Sequence, residues 1–300
     1  MRLRTILAAL LACGLLAGVA RAAGPYDFTV PGVDDVPDLH GNPAGAQLVI
    51  FAAGNQYMVM PRLIAAFERE HPGVTRVFYE TLPPGILAKQ MAAGGIRIGN
   101  LVVADPPDVY LAGKKRMAEE IAAGAVIGPP VSYATNVLAI MVAAGNPKHI
   151  TSLRDLGRPD VRVSMPNPAW EGIARQIEAA YRKTGGEALV HTIMVTKVAN
   201  GTTVLTKIHH RQTPMRILDG RSDAGPVWIS EALWQARLTH RIGVVRIPPA
   251  DNERAVYQAA VAAHAPHAAL ARAFVRFIAS PTARAIYASY GFGSPQMPGS

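Results

Sequence analysis

The chain has 300 residues, 50% of them hydrophobic, 17% charged, and a formal net charge of +9. The apolar fraction excludes a disordered chain, and the length allows one large domain or two lobes of about 100–150 residues each. A single cysteine, Cys13, excludes a disulfide scaffold and the clustered thiolates of a cysteine-rich metal site. Residues 1–22 begin with Arg2 and Arg4, continue through an apolar run and end Ala20-Arg21-Ala22. This is the order of a secretory signal peptide, and removing its three arginines takes the charge from +9 to about +6. The run is shorter than the ~20 residues that span a bilayer. Leu10-Leu11-Ala12-Cys13-Gly14 also has the look of a lipobox, but an apolar stretch would then follow the modified cysteine. Cleavage near Ala22 is the preferred reading, with lipoprotein anchoring at Cys13 the alternative. Either way the protein is exported. Lysine and arginine are scattered, without a basic stripe interleaved with aromatics, so nucleic acid is not an expected partner.

Residues 23–46 are rich in Pro, Gly and Asp, include Asp34-Asp35-Val36-Pro37-Asp38, and read as an extended lead-in lying on the surface or partly mobile. Residues 47–53 form an apolar run of strand length. After Gly54-Asn55-Gln56, Met60, Leu63, Ile64 and Phe67 recur at the spacing of one helix face, and His71-Pro72-Gly73 ends the helix. A strand over 75–79, a helix over 86–93, short strands near 102–103 and 109–111 and a helix over 114–123 complete the first set. The rhythm returns with an apolar run at 136–142, a helix starting at 152, strands at 161–165 and 194–198, and helices at 170–183 and 212–218. Strands at 226–228 and 242–247 and helices at 268–278 and 282–290 follow. Alternating β and α segments imply parallel sheets flanked by helices. Two such sets suggest two α/β lobes, with 133–142 and 251–261 as the strands that cross between them and a ligand cleft at the junction.

The chain lacks a dinucleotide-binding glycine motif, a phosphate-binding P-loop, a nucleophile elbow and a zinc-protease helix. An enzyme is therefore not expected, nor a cofactor. Asn55-Gln56, Pro84-Gly85, Asn167-Pro168-Ala169 and Arg211-Gln212-Thr213 each precede an expected helix. Helix N-termini carry unpaired N–H groups and partial positive charge, so several facing one cleft would make an anion site. They can equally be ordinary caps and turns. His209-His210-Arg211 is read as an extended segment, in which neighbouring side chains point to opposite sides and would not share one metal. A metal site would need His210 with Glu80 or Glu171. Trp228 ends an apolar run and is either a cleft wall or core.

Several segments, in order, resemble the periplasmic substrate-binding proteins of ABC importers, specifically the molybdate-binding type. Val49-Ile50-Phe51-Ala52-Ala53-Gly54-Asn55 is similar to that family's first strand, which ends V-F-A-A-A-S. Leu87-Ala88-Lys89-Gln90-Met91 is similar to its L-A-R-Q-I helix. Thr151-Ser152-Leu153-Arg154-Asp155-Leu156 is similar to its entry to the second lobe. Arg211-Gln212-Thr213 and Ala224-Gly225-Pro226-Val227-Trp228 are similar to "V-R-Q-T…A-D-A-G-x-V-Y". Residues 271–292 are similar to the C-terminal "A-R-A-F…S-P…Y-G-F" signature. The resemblance covers about residues 47–292 and implies an α/β, two-lobed periplasmic binding protein of type II. Each lobe would be a mainly parallel sheet flanked by helices, lobe 1 being 47–135 plus 251–300 and lobe 2 being 136–250.

It also implies a soluble periplasmic monomer that closes on a small ligand and docks on an ABC transporter membrane permease. The family holds its oxyanion with serine hydroxyls, helix-start amides and a tyrosine. By position the first serine falls on Asn55, the second near Pro84-Gly85, the amide site on His210 and the tyrosine on Trp228. The candidate ligand set is Asn55, Gln56, Thr81, Gly85, Asn167, Ala169, Trp170, His210, Arg211 and Trp228. With both serines and the tyrosine replaced, the expected ligand is a molybdate-like oxyanion or a small organic anion. The alternatives are delivery of a transition metal or metal complex through His and carboxylate ligands, or a periplasmic sensor on the same fold.

Overall fold

The computed structural model describes residues 24–295. The signal-peptide and lipobox readings lie outside the described residues. In chain order the elements are β1 (Tyr26–Asp27), β2 (Leu39–His40), β3 (Leu48–Ala52), α1 (Met60–Glu70), β4 (Val77–Glu80) and α2 (Pro84–Ala93). They continue with β5 (Ile96–Ile98), β6 (Leu101–Val103), β7 (Val109–Gly113), α3 (Lys114–Ala122), β8 (Val126–Ala143), β9 (Val163–Met165), α4 (Ile173–His191) and α5 (Lys197–Ala199). The chain then forms β10 (Thr203–Leu205), α6 (His209–Leu218), β11 (Ala224–Trp228), α7 (Ile229–Thr239), β12 (Ile242–Arg246), β13 (Arg254–Ala262), α8 (Ala268–Ile278) and α9 (Pro281–Ser289).

Strand β3 is buried over all five residues because it lies at the centre of a sheet, parallel to both β4 and β7. β13 joins that sheet antiparallel to β7. In the second sheet β9 runs parallel to β10 and β11, and β11 pairs antiparallel with β8. β8 serves both sheets. From Val126 to Val137 it pairs with β13, and its last six residues pair with β11 and β12. Its first half contains Gly128, Pro129 and Pro130, which is why hydropathy shows only the apolar second half.

The apolar stripe of α1 is buried at Met60, Leu63, Ile64 and Phe67. Phe67 packs edge-on against Phe274 of α8, with ring centroids 5.1 Å apart. The expected strand over 194–198 is helical instead, a π turn at Thr192–Thr196 running into α5. Ile193 and Lys197 are buried four residues apart while Val195 is exposed, a helical period rather than the alternation a strand requires. The parallel strand in this region is β10. The segment from 152 is a 3-10 helix, Leu153–Gly157, closed by a capping box between Ser152 and Asp155.

The lead-in is fixed at several points. β1 pairs with β5, and β2 pairs with β4 at Leu39↔Glu80 and His40↔Tyr79. A 3-10 turn, Val36–Asp38, buries Asp35 and Asp38. Among the described residues no helix is long and apolar enough to cross a membrane.

Candidate functional site

The ends of the two sheets enclose a cavity of about 1000 Å³. Gly54, Asn55 and Gly85 line it from the side of β3 and α2. Ala169, Trp170, Glu171, His209, His210, Trp228 and Glu231 line it from the side of the second sheet. Each comes from a strand-to-helix turn or the first turn of a helix, so the fold carries several helix starts to one place.

The candidates divide on inspection. Asn55 is buried in the wall, and its Nδ2 donates to the Tyr257 hydroxyl at 2.7 Å. Gly85 borders Trp170, whose carbonyl oxygen is 3.8 Å from where a Cβ would stand. The Trp170 indole N–H is buried without a partner, and its ring meets Phe28 of the lead-in edge-on. Trp228 is a cleft wall and also packs on Tyr257. Gln56 is outside the lining, turned into the core where it accepts from the Tyr287 hydroxyl at 2.8 Å. Thr81 is outside it too, with Oγ1 bonded to Asp38. Asn167 supports the wall from behind, donating its backbone N–H to Glu171 and accepting from the Ala169 N–H. Arg211 points out of the cavity to the lead-in, donating to the Asp34 carbonyl at 2.7 Å and to Asp38 at 3.0 Å.

Of the acidic candidates, Glu80 is outside the lining. It accepts from Gln90, its other oxygen has no partner, and burial pushes its carboxyl up to about 8. Glu171 does line the cavity, accepting from the Thr206 hydroxyl and the Asn167 N–H. Burial raises its pKa against the opposing pull of His209.

The histidine pair departs from the extended geometry expected of it. His209 and His210 open α6, so their side chains diverge by a helical step instead of pointing to opposite sides, and the rings meet edge-on at 4.1 Å. Both reach Asp38. His209 Nε2 is 3.1 Å from Oδ2 and His210 Nε2 is 3.3 Å from Oδ1. His210 stacks flat on Tyr57, with centroids 4.1 Å apart. His209 touches the opposite wall, where a Cβ on Gly54 would lie 3.0 Å from its Nδ1. Only a glycine lets these two walls approach so closely.

Burial opposes ionisation of Asp38, but His209, His210 and Arg211 outweigh it and hold the carboxyl well below its ordinary range. Burial likewise opposes charge on His209, yet Asp38 raises its pKa. His210 is driven well down, by burial and then by the neighbouring charge on His209. Asp35 is pushed up to about 6, mainly by burial.

Sequence reasoning missed Asp35, Asp38, Tyr57 and Glu231. Glu231 lies in the first turn of α7, with one carboxylate oxygen buried and unpartnered. Burial and then the Glu171 carboxylate push it up to about 8, so it is protonated at neutral pH. Lys89, Lys114, Lys115 and Arg116 add positive charge to the lining, partly offset because Arg116 pairs with Glu119 at 2.7 Å.

Comparison with known proteins shows the family and the fold. The profile of the family described as bacterial extracellular solute-binding protein matches residues 48–293. The molybdate-binding protein ModA of Mycobacterium tuberculosis is 30% identical over 293 residues, covering 97% of this chain and 95% of the relative. Among solved structures, the periplasmic molybdate-binding protein of Azotobacter vinelandii superposes with a TM-score of 0.66 at 18% identity, covering 83% of this chain and 100% of that one. The sulfate-binding protein SubI of M. tuberculosis gives 0.67 at 23% identity, covering 82% and 85%. Iron-bound HitA of Pseudomonas aeruginosa gives 0.63 at 16% identity, covering 81% and 83%. The fold is the two-lobed type II periplasmic binding fold.

Proposed function

The chain belongs to the bacterial extracellular solute-binding proteins, and from that premise we propose that it is the periplasmic binding component of an ABC importer for a small anion. The observation that carries this reading is the convergence of helix starts on one cavity. Gly54-Asn55, Pro84-Gly85, Ala169-Trp170, His209-His210 and Trp228 all border it. Backbone N–H groups at such starts bind anions without a buried countercharge; those of Ala169 and Trp170 already donate to Asn167, which leaves the other starts for the ligand. The flanking lysines attract an anion, and the protonated Glu231 offers an O–H donor in place of a repelling charge.

In this reading the chain binds and releases its ligand unchanged, as a monomer, and the closed form docks on the membrane permease. Lobe 1 comprises 47–135 with 251–300, and lobe 2 comprises 136–250. They rotate about the crossings β8 and β13 in a hinge motion that buries the anion. The replaced serine and tyrosine positions, Asn55 and Trp228, leave fewer hydroxyl donors than a molybdate site of the family type. A small organic anion bearing carboxylate or phosphoryl oxygens fits that donor set.

The test is a thermal-shift screen followed by calorimetry with molybdate, tungstate, sulfate, phosphate and a panel of organic acids. A ligand at a hundred times its Kd stabilises by about 2.7 kcal/mol, which is readily detected. If no anion shifts the melting point, the proposal fails.

A further inference from the structure

The Asp38, His209 and His210 cluster has properties that anion capture does not require. Ligand-capable atoms of all three side chains lie within 4.8 Å of one another. The separations from Asp38 are 3.1 Å to His209 Nε2 and 3.3 Å to His210 Nε2. A first-row divalent metal with bonds of about 2.0–2.2 Å places neighbouring ligand atoms roughly 3.0–3.5 Å apart. His209 Nε2 faces Oδ2 and His210 Nε2 faces Oδ1, so each nitrogen stands at ligand-to-ligand distance from one oxygen of the same carboxylate.

A second observation is independent of that spacing. The His210 side chain is only 4% exposed, and neither ring nitrogen has a hydrogen-bond partner. A buried polar group left in this way needs an explanation. Its approach to Asp38 is close but not aligned as a hydrogen bond, and the Tyr57 stack fixes the ring in that pose. A metal uses the nitrogen lone pair and needs no proton there. The carboxylate is supported as metal ligands commonly are. Thr81 Oγ1 donates to Oδ1 at 3.2 Å and Arg211 donates to Oδ2 at 3.0 Å. Arg211 opposes a cation electrostatically, which sets the site toward moderate affinity.

We infer that Asp38, His209 and His210 form a site for a divalent transition metal at the junction of the lead-in and α6. Its two nitrogens and one carboxylate suit Zn²⁺, Co²⁺ or Ni²⁺. Both histidines line the cavity, while their Nε2 atoms meet Asp38, which lies outside the lining. Asp38 is tied to the first sheet through β2 and β4, whereas the histidines begin a helix of the second. Metal binding therefore joins the two walls and favours the closed arrangement. This goes beyond the anion reading, and the two can fail separately.

The test is calorimetry of the untagged full chain, stripped with chelator, against ZnCl₂ and CoCl₂, with visible spectroscopy of the Co²⁺ form. One equivalent is expected to bind, with Co²⁺ bands characteristic of nitrogen and oxygen ligands. Losing a supporting partner of a ligand already costs 10–100-fold, so His210→Ala and Asp38→Asn should each weaken binding by about 100-fold or more. Circular dichroism establishes that the variants are folded. If either does not fold, the wild-type Co²⁺ spectrum decides alone. Absence of stoichiometric binding in the wild type, or undiminished binding in folded variants, overturns the site. The same preparations titrated with anions in the presence of chelator keep the anion reading under its own test.

Discussion

Replacing Glu231 by glutamine should remove a large pH dependence of stability. In the folded protein this carboxyl is held at about 8, whereas it titrates near 4.5 when free of its surroundings. Burial is the main cause, the Glu171 carboxylate adds to it, and a hydrogen bond from the Trp228 backbone opposes it. Between these two values the folded chain keeps a proton that the unfolded chain has lost. Stability therefore falls as pH rises, by about 1.4 kcal/mol per unit, and the loss approaches about 5 kcal/mol across the window. Below 4.5 both states are protonated, and above 8 both are ionised, so the slope vanishes outside that range. Glutamine keeps the size and a donor but cannot ionise. Urea denaturation at pH 5, 6, 7 and 8 and constant ionic strength should show the variant gaining on the wild type by about 1.4 kcal/mol per unit. Glu80 is also held at about 8, but it is present in both proteins and cancels from the difference. A difference that stays flat between pH 5 and 8 would refute the reasoning. The same ionisation places a negative charge in the cavity, so anion affinity should fall above pH 8 in the wild type and not in the variant.

Further expectations concern the contact between the lead-in and α6. Asp38→Asn leaves His209 and Arg211 without their carboxylate and should destabilise by about 3–5 kcal/mol, the usual cost of breaking a buried pair. The raised pKa of His209 makes its share fully present below its unfolded value and lost as pH rises through the folded one. The depressed pKa of Asp38 makes its share present above the unfolded carboxylate value and lost on acidification. The penalty should thus be greatest between about pH 4 and 6.5, as read by denaturation across that range. Gly54→Ala adds a Cβ 3.0 Å from His209 Nδ1 and 3.2 Å from the Thr81 carbonyl oxygen. Overpacking of this kind costs about 1–3 kcal/mol. The contact is formed in this structure, so that cost should appear as a lower melting point of the protein itself. An unchanged melting point would show that His209 and Gly54 are not in contact in solution.

The architecture was readable because its signals are local. The buried run of β3, the α1 stripe of Met60, Leu63, Ile64 and Phe67, and the αβ alternation each depend on neighbours in sequence. The same holds for the strand-to-helix turns that reach the cavity at Asn55, Gly85, Trp170, His210 and Trp228. Errors arose where burial and pattern diverge. Ile193, Met194 and Val195 form an apolar run, yet only Ile193 is fully buried, and the run belongs to a helix. The site was legible only in part, because half of its chemistry is non-local. Asp38 sits in a Pro- and Asp-rich segment with no periodicity, 171 residues from His209, and nothing in its surroundings shows that it will face a helix start of the other lobe.

The histidine pair shows how one local assignment controls a chemical conclusion. In an extended segment, residues 209 and 210 project about 180° apart and cannot meet one acidic group. In the first turn of a helix they project about 100° apart, and a single carboxylate placed between them contacts both. The change from strand to helix at these two positions turns a polar loop into a convergent donor set. It also explains why so short a carboxylate as Asp38 suffices: the lead-in brings it to the helix start, so neither histidine has to reach. The acidic pair Asp35 and Asp38 then offsets positive charge on His209 and Arg211 at the helix start, leaving lining cations such as Lys89, Lys114, Lys115, Arg175 and Arg254 as the exposed attraction for an incoming anion.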